Sequence, residues 1–252
     1  MSTIIAVSGK GGVGKTTLAS LIISRLIAQG RKPVLAIDAD PNSCLDNALG
    51  VTITSTVGGV REETKELAGK GMAAGISKQQ MLEMKIEESL VESTDFDLIA
   101  MGRPEGPGCY CYANNVLKSV LQRLASQYPY VVLDNEAGLE NLSRRIVQKV
   151  NLLILVTDPS ESGFRTIERL YGLAGEMEIE FDHAVIIVNR LRGDQLPAKA
   201  KQVASALGLE HVLGLPDNEE LARTAEEGKS LFTLPADNQI ISKLDDFLKN
   251  FL

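Results

Sequence analysis

The stretch Gly9-Lys10-Gly11-Gly12-Val13-Gly14-Lys15-Thr16-Thr17 restricts this chain more than any other. It satisfies G-x-x-x-x-G-K-[ST], the phosphate-cradling loop. The apolar run Ile4-Ile5-Ala6-Val7 precedes it, and Leu18, Leu21, Ile22 and Leu26 follow at the spacing of a buried helix face. Strand, glycine-rich turn and helix thus stand in the order the motif needs. Gly9, Gly11, Gly12 and Gly14 let successive N–H groups point into one hollow, and the helix N-terminus adds its positive end there. Such a nest binds polyphosphate. Lys15 is placed to reach the β- and γ-phosphates, and the Thr16 hydroxyl to ligate Mg²⁺.

Lys10 is the unusual residue. With it, K-G-G-V-G-K-T-T resembles the deviant P-loop of the MinD/ParA/nitrogenase-iron-protein ATPases. The resemblance implies bound ATP, cradled by Gly11 to Thr17, and a homodimer in which Lys10 acts in trans on the partner's nucleotide. A second ammonium there would offset charge on the departing phosphoryl group, as an arginine finger does elsewhere.

Length and charge narrow the field further. At 252 residues the chain is within reach of a single large α/β unit, and one domain, 1–252, is expected. The net charge of −7 indicates no broad basic face, so no nucleic-acid partner is expected. Aromatic residues are 4% of the chain and Trp is absent, which leaves few stacking platforms for single strands. The first strand begins at once, without a basic and apolar leader, and no apolar run nears about 18 residues. A cytoplasmic protein without membrane attachment is the expectation.

Several strands are legible along the chain. Pro33 to Ile37 reads as a buried strand delivering Asp38-Ala39-Asp40-Pro41 at its C-terminal end, where ligands of open parallel sheets sit. By the resemblance this is the first switch region, with Asp40 orienting the attacking water and Asp38 supporting the Mg²⁺ shell; an Asp-Pro turn would look the same. Residues 61–93 read as a charged helical insertion with Met81, Leu82, Met84, Ile86 and Leu90 on one apolar face. Phe96 to Met101 is the next strand, and a helix resumes from Tyr112 through Val116, Val120 and Leu124.

Tyr130 to Asp134 is apolar and ends in an acid, so Asp134 would hold Thr16 or a Mg²⁺ water. The following Asn135-Glu136-Ala137-Gly138 departs from the D-T-P-[AG] of the resembling ATPases, which leaves the role of Glu136 open, a carboxylate near Mg²⁺ being one reading. Leu152–Val156 and Ala184–Val188 are further strands. By the resemblance Asn189 reads the adenine edge, and Pro216, Asp217 and Asn218 lie against the base; a turn Asn closing a strand is the plainer reading of Asn189. Ile240, Ile241, Leu244, Phe247, Leu248 and Phe251 form a terminal apolar stripe. Its lysines Lys243 and Lys249 are matched by Asp245 and Asp246, so packing on the domain is expected rather than membrane binding.

Cys109-Tyr110-Cys111 lies in a Gly/Pro loop, Gly102-Arg103-Pro104-Glu105-Gly106-Pro107-Gly108, after the third of these strands. Two thiols one residue apart can hold one soft metal but fill only half of its site. A two-fold dimer would supply the other half. The alternative is a pair of reduced thiols, since a disulfide at this spacing is strained. Cys44 reads as a small packed hydrophobe, and His183 and His211 as structural residues preceding strands. The deviant P-loop, Asp38-Ala39-Asp40-Pro41 followed by Ser43-Cys44-Leu45, the Gly-Pro-Gly-Cys-x-Cys loop and Asp134-x-Glu136-Ala137-Gly138 together resemble the CooC-type ATPases. That resemblance implies Ni²⁺ at Cys109 and Cys111 of two subunits, with Zn²⁺ a competitor, and apo carbon monoxide dehydrogenase or another nickel enzyme as client. Two rivals remain: an iron-sulfur cluster carrier of the Mrp or iron-protein type, and a MinD/ParA-like positioning ATPase that acts on DNA or membrane and uses no metal. The expected fold is a mostly parallel twisted sheet with helices on both faces and ATP at the strand C-termini.

Overall fold

A computed structural model describes residues 2–69, 77–103, 111–137 and 149–252. Its centre is an eight-stranded sheet in the order β3-β4-β2-β5-β1-β6-β7-β8. The strands are β1 (Thr3–Gly9), β2 (Val34–Asp38), β3 (Val91–Glu92), β4 (Phe96–Ala100), β5 (Tyr130–Ala137), β6 (Lys149–Thr157), β7 (Glu180–Leu191) and β8 (Val212–Pro216). All neighbours pair in parallel except the short edge strand β3, which runs antiparallel to β4. The expected sheet is therefore present, with β3 added at one edge.

Parallel strands buried on both faces read as unbroken apolar runs, and alternate residues then serve opposite layers. In β1, Ile5 and Val7 join one core cluster while Ala6 joins the other; in β6, Leu152, Ile154 and Val156 oppose Leu153 and Leu155. On the first face lie α1 (Lys15–Ala28), α2 (Leu45–Leu49), the 3₁₀ turn Leu231–Thr233 and α9 (Gln239–Leu248). On the second lie α3 (Val57–Gly69), α4 (Lys78–Glu88), α5 (Cys111–Gln127), α6 (Glu161–Glu176) and α7 (Ala198–Ala206). The remaining helix, α8 (Glu219–Glu226), buries none of its residues.

The terminal stripe packs as expected. Ile240, Ile241, Leu244, Phe247 and Leu248 of α9 are all buried against α1 and the sheet. Arg25 of α1 clamps Asp245 through both carboxylate oxygens, at 2.8 and 2.9 Å, and Gln29 adds a third bond. Among the described residues no helix is long and apolar enough to cross a membrane.

Three expectations need correcting. Met84 is 47% exposed rather than on the apolar face of α4. Leu82 and Ile86, four residues apart, face the core, and a residue midway between them points away from it. His183 lies inside β7 instead of before it, while His211 does precede β8; both stand edge-on to the Phe251 ring, at 5.4 and 4.9 Å. Cys44 is exposed, because it caps the N-terminus of the short helix α2 and leaves burial to Leu45 and Leu49.

Candidate active site

The phosphate loop leaves β1 at the centre of the sheet, with β5 on one side and β6 on the other. Gly9 and Gly14 are required by close approach. A Cβ on Gly9 would stand 2.2 Å from the Val156 carbonyl oxygen, and one on Gly14 would meet the Asn189 amide nitrogen at 2.6 Å. Gly14, at φ 92°, is also the N-cap of α1, and no side chain caps that helix. Its first N–H groups are thus free to meet an anion, helped by the positive end of the helix.

Lys15 and Thr16 open α1 beneath this loop. The Lys15 ammonium donates to the Lys10 carbonyl at 3.3 Å and is buried. Burial lowers its pKa, against the charges of Asp134, Asp40 and Glu136, which raise it. The Thr16 hydroxyl donates to Asp134 Oδ2 at 2.6 Å, joining α1 to the C-terminal half of β5. Asp134 is 1% exposed, and its Oδ1 is buried without a partner among the described residues. Burial pushes the Asp134 carboxyl up to about 7, and the charges of Asp38 and Asp40 push the same way against the Thr16 bond and Lys15. An orphaned carboxylate oxygen beside a hydroxyl is the hard-oxygen donor set that suits Mg²⁺. Thr16 and Asp134 are the residues that would hold it.

Asp38 pairs in register with Asp134 on the adjacent strand. Both its oxygens are taken by the chain itself, Oδ1 by the Asp40 N–H and Oδ2 by the Leu45 N–H, each at 3.0 Å. It braces the turn from β2 into α2. Burial raises its carboxyl to about 6 despite those two donors. Asp40 follows in that turn, and its Oδ1 accepts from the backbone N–H and the side-chain amide of Asn42. Asn42 in turn accepts from Arg103, at 2.8 Å, on the segment leaving β4.

Lys10 is exposed, and its ammonium donates to Ser162 Oγ at 3.3 Å in the first turn of α6 of the same chain. Asn189, at the end of β7, donates to the Val13 carbonyl at 2.9 Å, while its Oδ1 accepts from the Arg190 N–H. The amide nitrogen thus ties β7 to the phosphate loop, while the amide oxygen serves the next residue of its own strand. Beside it a cavity of about 100 Å³ is lined by Gly14, Thr17, Arg190, Pro216, Asp217 and Asn218. The adenine-side residues expected from the sequence therefore share one hollow with the loop. A second cavity, of about 220 Å³, is bordered by Thr16, Thr17, Cys44, Asn47 and Lys229. The Cys44 thiol there is pushed up by partial burial and by the nearby aspartates.

Cys109 lies outside the described residues, as does Gly138. Cys111 opens α5. Among the described residues no group of His, Cys, Asp and Glu is arranged to hold a metal through three or more side chains. Sequence reasoning missed the Ser162 contact of Lys10 and the Arg103–Asn42 bond, because both join segments far apart in the chain. It also ended β5 too early, at Asp134.

A profile of the CobQ/CobB/MinD/ParA nucleotide binding domain matches residues 4–232. The chain belongs to that family. An uncharacterized ATP-binding protein of Methanocaldococcus jannaschii is 42% identical over 250 residues, covering 99% of this chain and 98% of the relative. The carbon monoxide dehydrogenase accessory protein CooC of Rhodospirillum rubrum is 31% identical over 192 residues, 70% of each chain. The crystal structure of a ParA family ATPase from Chlorobium tepidum superposes with a TM-score of 0.71 at 20% identity, over 98% of this chain and 97% of that one, which establishes the shared fold. The chain is accordingly an ATP-binding P-loop ATPase of the MinD/ParA family.

Proposed function

We propose that this ATPase is a homodimeric metallochaperone. It hydrolyses ATP with Mg²⁺, binds Ni²⁺ through Cys109 and Cys111 of both subunits, and assists nickel insertion into carbon monoxide dehydrogenase. The observation that carries this reading is the link from Asp40 through Asn42 to Arg103. Arg103 opens the segment that leads to the thiols, and Met101 just before it donates its N–H to the Asp38 carbonyl. The turn beside the nucleotide and the root of the Cys-x-Cys loop are thereby one hydrogen-bonded unit. The relative CooC, a carbon monoxide dehydrogenase accessory protein, supports the choice of client.

The roles follow from charge and reach. Backbone N–H groups of the loop and Lys15 bind the triphosphate. Thr16 and Asp134 hold Mg²⁺, which when bound neutralises phosphate charge. Lys10 leaves Ser162 to act on the partner's nucleotide, and Pro216 and Asp217 flank the base. If ATP and Ni²⁺ favour the same dimer, each raises the other's affinity.

Nickel titration with size measurement tests the reading. The expected result is about one Ni²⁺ per two chains, as a site on a two-fold axis requires, with tight binding lost in both Cys109→Ser and Cys111→Ser. Full coordination in a monomer, or none, would overturn it. A brown, absorbing protein after anaerobic purification would instead mark an iron-sulfur carrier. The family match favours a second reading, a positioning ATPase of the MinD/ParA type that uses no metal. ATP-dependent co-sedimentation with liposomes or DNA, indifferent to nickel, would establish that one.

A further inference from the structure

The acidic side chains at or just beyond the tips of β2 and β5 are Asp38, Asp40, Asp134 and Glu136. Three of the four are engaged by the chain itself through at least one oxygen, Asp134 Oδ1 remaining without a partner among the described residues. Asp38 braces its own turn with both oxygens, Asp40 accepts twice from Asn42, and Asp134 accepts from Thr16. Glu136 is half-buried and makes no hydrogen bond or ion pair with any described residue.

Its placement results from a break in the ladder. β1 and β5 run in register from Thr3 opposite Tyr130 to Val7 opposite Asp134, but Gly9 then faces Ala137. β5 therefore carries one residue more than β1 just where β1 gives way to the phosphate loop. Such bulges bend the strand and re-aim side chains, and they recur beside active sites. Asn135 is held inside this bulge, donating to the Val7 carbonyl and to Ser8 Oγ. Glu136, one residue further out, is close enough for its charge to act on the Lys15 ammonium.

We infer that Glu136 is a catalytic carboxylate, accepting a hydrogen bond from the water that attacks the terminal phosphoryl group. Lys15 draws the γ-phosphate towards itself, so a carboxylate near Lys15 stands near phosphate oxygens. Neither anion has a proton to offer the other. A water between them meets both needs, donating to Glu136 while turning a lone pair to phosphorus. As the water oxygen bonds to phosphorus, the bridging bond to ADP breaks with its electron pair leaving on ADP, and the proton of the water passes to the released phosphate. This rests on ATP hydrolysis by the chain and is independent of nickel.

The test is ATP turnover and ATP affinity measured on the full chain without nickel. Glu136→Ala should lower kcat about 100-fold and Glu136→Gln, whose amide oxygen still accepts, about tenfold, the range typical of groups that position a reacting water. ATP affinity and the thermal midpoint should stay near wild type in both. Undiminished turnover in Glu136→Ala, or a fall in ATP affinity matching the fall in rate, would overturn the assignment. A wild-type chain that binds ATP without turnover would overturn the ATPase reading as well, whereas absent nickel binding would leave these results standing.

Discussion

Asp38 shows how a single buried carboxyl sets a pH response. Its oxygens accept two backbone N–H groups, which favour the charged form, yet complete burial outweighs them and raises the carboxyl from 3.8 to about 6. A folded state that holds a proton more tightly than the unfolded chain loses stability as pH rises. The contribution is fully present below the unfolded value near 3.8 and is gone once pH has passed about 6. We predict that the nucleotide-free protein in EDTA unfolds more readily at pH 7 than at pH 4.5, by on the order of 2 kcal/mol from this group. Asp38→Asn should flatten that slope when thermal midpoints are followed across the range. Residue identities at this scale were legible from the sequence wherever a motif fixes them, as with Lys15, Thr16 and Asp134. Cys44 was not, because whether a cysteine is packed or presented depends on which neighbour the helix turns inward.

At the scale of elements, α9 and α1 form the clearest unit. The Arg25–Asp245 clamp is partly shielded, with side chains 16% and 24% exposed, and lies beside the buried Leu244 and Leu248. Leu244→Ala should destabilise the fold by about 2–5 kcal/mol, the cost of a core cavity, read as a lower denaturant midpoint. If α9 were instead a detachable membrane anchor, the same substitution would leave the midpoint unchanged. Strands and helices with strong periodicity were legible because burial on one or both faces writes directly into residue spacing. The missed features share another cause. The edge strand β3 has two residues, too few for a pattern, and the extension of β5 to Ala137 runs through polar Asn135 and Glu136, which belong to the strand only because β5 bulges there and regains its pairing with β1 at Gly9.

For the whole molecule, the parallel sheet with covered faces was readable from alternating apolar strands and helices. What lies between copies was not, since a two-fold axis leaves no trace in one chain's spacing. In the single chain Lys10 rests on Ser162. If it works across a dimer, Lys10→Ala should bind ATP within about threefold of wild type, as removal of an exposed contact implies, yet lose ATP-dependent dimerisation and most turnover. Sizing with a non-hydrolysable ATP analogue, beside steady-state rates, checks both.

The tight seating of Gly9 on the Val156 carbonyl and of Gly14 on the Asn189 amide has its own consequence. On the flank of β6 and β7 the cradle leaves no room for a side chain, which would strike the β6 backbone at one end and the Asn189 amide at the other. A cycle that alternates between two shapes then has its freer ground on the opposite bank, at the turn that follows β2, with the close-fitted flank as its anvil.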